Sequence, residues 1–382
     1  MKHYRVAIDA RWAVRRMNGI GQYILQLAGR MPALDPELHL TLLVDKAMGP
    51  HLLPAGCEQA VLGSYLGDGT PAARFYSPFW LNLEVPRFLS RYSVELFHGA
   101  NFVLPRTTLC RTVATVHDMS FFRTPWVYGP LYQCYMRRQV RTTIGRADAL
   151  ITISHRTRDD IAELQGAGTE SIVVIRCGVD PRFRTQHPES YLRSVQAAFG
   201  LPARYILQVG LIEQKKNLAA VLRASTAALN AGLADAVVFA GRDGLGAAGI
   251  RRLASRLGLD GKARFLGYVP QDLLPGLYSL ATLFVFPSHY EGFGLPVLEA
   301  MASGVPVIAS STSAIPEVAG DAAMLIDPAD VNGLSRAIRT ALTDESLRAR
   351  LRDRGLSRAR MFSWDEAAAK HVGLYRRVLE TR

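Results

Sequence analysis

Glu291 and Glu299 stand eight residues apart in the stretch from Ser288 to Pro306, SHYEGFGLPVLEAMASGVP, and their type and spacing point most directly to chemistry. An apolar, β-rich run at 282–286 precedes them, followed by a Pro-Ser turn, the glycines Gly292 and Gly294, and a helix expected to start near Pro296. Amides freed at a helix start, with glycines that let a ligand approach the main chain, make an anion site suited to phosphate. In the loop, Glu291 can accept hydrogen bonds from sugar hydroxyls. Glu299, expected in the first helical turn, can serve a second hydroxyl-bearing group. A phosphate between two polyol readers describes a sugar nucleotide. Each feature also has an ordinary use, since a first-turn glutamate complements the helix dipole and Gly-x-Gly is common in loops.

Other side chains fit the same chemistry. Lys215 and Lys216 precede Asn217, the expected cap of a helix running to Leu229. Two ammonium groups beside a helix start can neutralise a leaving diphosphate, work that a bound metal can also do. The alternative is a lysine pair on an exposed helix end. His117 follows a buried-looking strand and precedes Asp118, which can orient it; a hydrogen-bonded core histidine is the alternative. Gly19 and Gly21 follow the first strand, where they give either main-chain approach to phosphates or an ordinary strand-to-helix turn.

These residues need elements to hold them. Short β-rich runs alternate with longer helical ones, the pattern of a parallel sheet wrapped by helices. Strands are expected at 5–9, 39–45, 94–97, 112–116, 149–153 and 172–175, then at 205–209, 236–240, 264–266, 282–286, 305–309 and 323–326. Each half is therefore a Rossmann-like, doubly wound α/β candidate. The rhythm breaks from Cys177 to Ser194, so the expected domains are 1–190 and 191–362, followed by a terminal helical segment at 363–382. Ligands of doubly wound sheets bind at the carboxyl ends of the strands, and each motif above follows a strand. All of them can converge on one interdomain cleft.

Composition narrows the classes. At 382 residues the chain exceeds what one core usually organises. No apolar run approaches the roughly twenty residues of a membrane span, and Met1–Arg5 leads straight into a strand, so a cytoplasmic protein is expected. Four scattered cysteines, with no Cys-x-x-Cys, argue against a disulfide framework or a zinc site. Asp-x-Asp does not occur, and no metal or other cofactor is expected. The net charge of +12 divides into about +7 before residue 196 and about +5 after it. It favours an anionic partner, but no nucleic acid is expected without a recognisable module or dense basic run. Much of the excess is arginine on helical runs (137, 138, 141, 146; 348, 350, 352, 354), which also suits a solvated face. Aromatics concentrate at 65–92 and 121–135 among Arg74, Arg87, Arg91 and Arg123. That mixture suits either packing or peripheral contact with the inner face of a membrane.

The string Glu291-Gly-Phe-Gly-Leu-Pro-x-x-Glu299, followed by Ala-Met-Ala-x-Gly-x-Pro-Val, resembles the signature of the family-four glycosyltransferases. Four further stretches resemble that family in the right order: Val6–Ala10 with Asn18–Tyr23, Thr115–Asp118, Gln208–Asn217, and Ser313–Glu317 through Asp327-Pro328. Two departures stand out. Lys215-Lys216 replaces Arg-Lys, exchanging a planar fork for a point charge, and Arg176-Cys177 replaces Pro-Asn before Gly-Val-Asp180.

The resemblance implies a GT-B fold, two Rossmann-like domains facing a cleft, with the final helix crossing back to the first domain. It implies that Lys216, with Lys215, grips the donor diphosphate, approached also by Gly19 and Gly21. Glu291 and the amides of Phe293, Gly294 and Leu295 would hold the donor sugar, His117 would touch it, Glu299 would bind the ribose, and the main chain of Val269 would meet the base. It further implies metal-independent transfer with retention, the departing phosphate taking the acceptor's proton. The expected activity is transfer of a hexose, mannose from GDP-mannose, to a lipid-linked glycan acceptor of a surface polysaccharide such as lipopolysaccharide O-antigen or an exopolysaccharide. The alternatives are a UDP-sugar or GDP-deoxysugar donor, or a sugar-nucleotide epimerase of the same fold.

Overall fold

A computed structural model of the chain describes residues 3–15, 19–63, 78–166 and 168–381. They form two compact units. The first takes the described residues of Met1–Phe122, Gly129–Gly178 and Ser363–Arg382; the second is Arg123–Tyr128 with Val179–Phe362. The main division thus falls at Gly178, ahead of the boundary at 190 expected from sequence. Gly178 has no room for a side chain, because a Cβ there would lie 2.1 Å from the amide nitrogen of Trp364.

In the first unit the strands are β1 (Tyr4–Asp9), β2 (Leu38–Val44), β3 (Cys57–Val61), β4 (Leu96–Gly99), β5 (Arg111–Val116), β6 (Ala149–Thr152) and β7 (Ile172–Val174). They make one parallel sheet in the order β3-β2-β1-β4-β5-β6-β7. Interior parallel strands are covered on both faces, which is why their sequences are apolar runs.

The helix Trp364–Glu380 belongs to this unit, capped by Ser363, whose hydroxyl accepts from the amides of Asp365 and Glu366. Its buried face repeats at helical spacing through Trp364, Ala368, His371, Tyr375 and Val378. Two of those residues are polar because they join a buried hydrogen-bond chain. Nδ1 of His371 lies 2.7 Å from the carbonyl of Ala367, which can only accept. In the neutral ring, Nε2 of His371 therefore accepts from Tyr23 at 2.7 Å. The Tyr23 oxygen then accepts from Thr115 at 3.0 Å, Thr115 accepts from Nε2 of His98 at 2.7 Å, and Nδ1 of His98 accepts from Tyr375 at 2.6 Å. One direction of donation satisfies every member. Arg376, paired with Asp35 at 2.7 and 2.8 Å, secures the same helix nearer its end.

The second unit holds β8 (Tyr205–Val209), β9 (Ala236–Ala240), β10 (Ala263–Gly267), β11 (Leu283–Phe286), β12 (Val307–Ser310) and β13 (Met324–Ile326). They too are all parallel, in the order β10-β9-β8-β11-β12-β13. Its core packs Ile206, Val237, Phe239, Val285 and Ile308 from the sheet against Val221, Leu222 and Ile338 from helices. Every strand expected from an apolar run is present. β3 was not expected; it is an edge strand whose apolar residues are interrupted by Glu58 and Gln59.

Candidate active site

In the second sheet the strand order reverses between β8 and β11, so the connections leaving their carboxyl ends diverge and open a crevice. The sequence puts its two most informative motifs there. The single 3₁₀ turn Gln214–Lys216 follows β8, and the Glu291 loop follows β11. Nζ of Lys216 lies 2.6 Å from Oε1 of Glu291, with the two side chains only 13% and 11% exposed. The ammonium also sits 5.2 Å from the centre of the Phe286 ring. The cation expected to meet a diphosphate and the carboxylate expected to meet a sugar therefore share one point.

Neighbouring loops are fixed by backbone contacts. Asn217 takes a left-handed conformation at φ 55°, and its Nδ2 donates to the carbonyls of Pro287 (3.2 Å) and Pro328 (2.8 Å). It occupies the cap position of helix Leu218–Asn230, but its side chain ties together the loops after β8, β11 and β13 in place of the expected capping bond. The amide of Glu291 donates to Oγ of Ser313 at 3.0 Å. At Gly241 a Cβ would lie 1.9 Å from the carbonyl oxygen of Gly210, so the loops after β8 and β9 meet backbone to backbone.

The helix expected near Pro296 spans Leu295–Ala302. Gly294 precedes it at φ 118°, and a Cβ there would be 2.6 Å from Cδ1 of Ile315, so two constraints require glycine. Phe293 is buried beside Phe362, and the amides of Phe293, Gly294 and Leu295 come before the first intrahelical bond, Val297 N to Gly294 O. Glu299 is in the second turn of this helix, whose first turn holds no acid, which corrects the expected placement. Its Oε2 accepts from Tyr278 at 2.9 Å. Burial raises the Glu299 carboxyl to about 7; Asp180 adds to the rise, while the Tyr278 bond and Arg182 oppose it.

Lys215 is buried, and its carbonyl accepts from the amide of His289 at 2.9 Å. Val269, also buried, follows Gly267 at the end of β10. Beside it Tyr268 is exposed, with the Arg242 guanidinium stacked 4.4 Å above its ring.

In the first unit His117 is buried at the carboxyl end of β5. Its Nε2 donates to the carbonyl of Ala100 at 2.8 Å, which leaves Nδ1 of the neutral ring as an acceptor. Burial lowers its pKa, so the ring is neutral at physiological pH. Oδ1 of Asp118 takes the amide of Ser120 at 2.8 Å. Gly19 and Gly21 lie inside helix Gly19–Ala28, not in a turn. A Cβ on Gly21 would come 2.7 Å from the carbonyl oxygen of Trp12, so this glycine serves helix packing. Asn18, in the same motif, lies outside the described residues.

A groove of about 630 Å³ lies at the other edge of the first sheet, lined by Glu95, Cys110, Arg111 and Asp148. It adjoins the amino ends of β4 and β5, away from the carboxyl edge that binds ligands in such sheets. Among the described residues, no group of three or more His, Cys, Asp or Glu is placed to hold a metal ion.

Sequence reasoning missed Tyr278, the Asp180–Arg182 pair and the Arg242–Tyr268 stack. Tyr278 carried one usable signal: a tyrosine within an apolar helical run must find a partner for its hydroxyl.

The chain resembles known proteins along most of its length. Residues 17–183 match the family described as Glycosyltransferase Family 4, and residues 195–358 match Glycosyl transferases group 1. O-antigen chain mannosyltransferase B of Escherichia coli is 34% identical over 289 residues, covering 75% of this chain and 76% of that protein. The chain belongs to glycosyltransferase family 4. This family-4 enzyme is a hexosyltransferase, which sets aside the epimerase alternative. Sucrose-phosphate synthase from Thermosynechococcus elongatus superposes with a TM-score of 0.80 at 21% identity, over 99% of this chain and 100% of that one. WaaG, a glycosyltransferase involved in lipopolysaccharide biosynthesis, gives 0.77 at 18% identity, over 97% and 99%. At such identities these likenesses establish the fold alone, which is GT-B.

Proposed function

We propose that this enzyme transfers mannose from GDP-mannose, with retention and without a metal, to a lipid-linked glycan of a surface polysaccharide. The observation that carries the transfer reading is the Lys216–Glu291 pair at the β8/β11 reversal, a cation and a polyol acceptor side by side where such sheets bind ligands. Mannose and the surface-glycan acceptor are supported by the likeness to the O-antigen mannosyltransferase.

In this reading the sugar's anomeric carbon loses its bond to the β-phosphate oxygen and gains one to the acceptor oxygen on the same face. The acceptor proton passes to the departing phosphate. Lys216, helped by Lys215, stabilises the growing charge on the diphosphate; a preorganised cation in a site of low water content contributes most when that charge peaks. Glu291 and the amides of Phe293, Gly294 and Leu295 orient the sugar, Glu299 takes the ribose hydroxyls, and Nδ1 of His117 accepts from a sugar hydroxyl. An acceptor on a lipid carrier would bring the enzyme to the inner face of a membrane.

A thermal-shift panel with GDP, UDP, ADP and dTDP tests the donor. A ligand at a hundred times its Kd stabilises the native state by about 2.7 kcal/mol, a shift of a few degrees. A shift with GDP alone is expected. A shift with UDP alone would retain the transferase and discard GDP-mannose.

A further inference from the structure

We propose that Tyr278 is a positioning residue for the nucleoside end of the donor site: its hydroxyl donates to Oε2 of Glu299, favours the carboxylate form of that side chain, and leaves Oε1 for the ribose hydroxyls. The inference rests on the reading of Glu299 as the ribose-binding group.

The geometry leaves Tyr278 little freedom. Its side chain is fully buried, with the ring centre 5.4 Å from Phe284 of β11 and edge-on to Phe183 at 5.6 Å. The short helix that carries it, Leu274–Ser279, is fixed by a 2.6 Å bond from the Tyr205 hydroxyl to the carbonyl of Leu277 and by close packing of Gly276 on Tyr191. The phenol therefore cannot swing away from Glu299, 2.9 Å distant. Burial also lifts the phenol well above its ordinary range, so it stays a donor at every working pH.

The other charged groups that act on Glu299 come from the segment after Gly178. They are Asp180 and Arg182, which bond to each other at 2.8 and 3.1 Å. Opposite in sign and joined, they largely offset each other, so the Tyr278 hydroxyl is the hydrogen-bond donor among the described residues that steadies the carboxylate. A half-buried carboxyl without a donor prefers its proton. A protonated Glu299 would offer the ribose a poorer acceptor.

The test compares GDP with 2′-deoxy-GDP, and UDP with 2′-deoxy-UDP in parallel, by calorimetric titration from pH 6 to 9. The wild type should prefer the ribonucleotide, and affinity should rise with pH. Tyr278→Phe keeps the ring and its packing. It should lower ribonucleotide affinity about tenfold at pH 7, move the rise to higher pH, recover most of the loss by pH 9, and shrink the preference over the deoxy form. Unchanged affinity overturns the proposal. So does a loss equal at every pH and equal for the deoxy nucleotide, because that is what a packing role gives. If Tyr278→Phe lacks a cooperative melt, Glu299→Gln replaces it. That variant keeps an oxygen for Tyr278 and should abolish the pH dependence, and a retained dependence overturns the proposal. A wild type that does not distinguish ribo- from deoxyribonucleotides refutes the ribose reading itself and removes the basis for the Tyr278 role, an outcome distinct from those of the variants.

Discussion

Lys216 and Glu291 neutralise each other before any donor arrives, so both charges are held in a largely buried site without an isolated ion. In the proposed mechanism, binding a sugar nucleotide then exchanges partners: phosphate oxygens for the ammonium, sugar hydroxyls for the carboxylate. Lys216→Ala should lower turnover about a hundredfold or more while the fold persists, as steady-state kinetics beside a thermal melt would show; near wild-type turnover would remove it from the mechanism. The pair should also appear in the free enzyme's stability. Lys216→Met leaves Glu291 uncompensated, and adding Glu291→Gln should recover part of the loss, giving a coupling of about 1–3 kcal/mol in urea denaturation. Additive effects would show that the two side chains do not interact in solution. Glu299 has the opposite pH character from a paired carboxylate. Its folded pKa of about 7 exceeds the ordinary 4.5, so its contribution to stability without ligand is fully present below 4.5 and is lost as pH rises through 7. Donor binding through the proposed ribose contact, which calls for the ionised form, should strengthen over that same rise, and Glu299→Ala should mainly weaken donor affinity.

At the scale of elements, the terminal helix Trp364–Glu380 is attached through histidines that must stay neutral. His371 is fully buried, and burial depresses it from 6.5 to about 4, with His117 acting in the same direction; His98 and His117 are lowered by burial as well. Protonation would place a donor on Nε2 of His371 facing the Tyr23 hydroxyl, and the single direction of donation would fail. Unfolded chain binds the proton between those two values, so this stability is complete above 6.5 and lost as pH falls toward 4, up to about 3 kcal/mol. In His371→Gln the pH dependence of the first unit's stability between 5 and 6.5 should fall by about one proton; an unchanged slope would mean that His371 is not buried neutral. None of this hydrogen-bond chain was foreseen from the sequence, whereas the two-domain fold was. Apolar runs announced the interior strands because those are covered on both faces, whereas β3, Cys-Glu-Gln-Ala-Val, pairs on one side with β2 alone and needs no such run. Asn217 looked like a cap because capping is its commonest role, and only the tertiary fold brings the Pro287 and Pro328 carbonyls to it. Gly19 and Gly21 read as a turn, yet Gly21 answers to Trp12, a contact local spacing does not encode. The placement of Lys216 and Glu291 was legible because each sits in a segment that directly follows a strand.

For the molecule as a whole, a net charge of +12 and the lipid-linked acceptor proposed above together pose the question of where the enzyme works. Among the described residues no helix is long and apolar enough to cross a membrane. The aromatic segments divide under inspection: Trp80 and Phe121 are core, Phe79, Tyr92, Trp126, Tyr132 and Tyr135 are exposed, and Arg74 with Tyr65, Phe75 and Tyr76 lies outside the described residues. The helix Pro130–Ile144 offers the most suitable surface. Leu131, Tyr135 and Arg138 recur at helical spacing on one face, all are exposed, and Leu131 is 89% accessible. An apolar anchor beside a cation is the arrangement that seats a helix at an anionic interface. Cosedimentation with vesicles containing phosphatidylglycerol should therefore show binding that weakens with added salt and is lost on neutral vesicles. Each arginine near such a surface contributes about 1 kcal/mol, so Arg138→Gln should weaken binding about fivefold, and removing the Leu131 side chain should weaken it about tenfold. Because neither residue lies at the Lys216–Glu291 site, both variants should keep wild-type turnover on a water-soluble acceptor analogue while lowering it on the vesicle-borne one. Equal binding of neutral and anionic vesicles, or no effect of either substitution, would place the helix's apolar face in some other role.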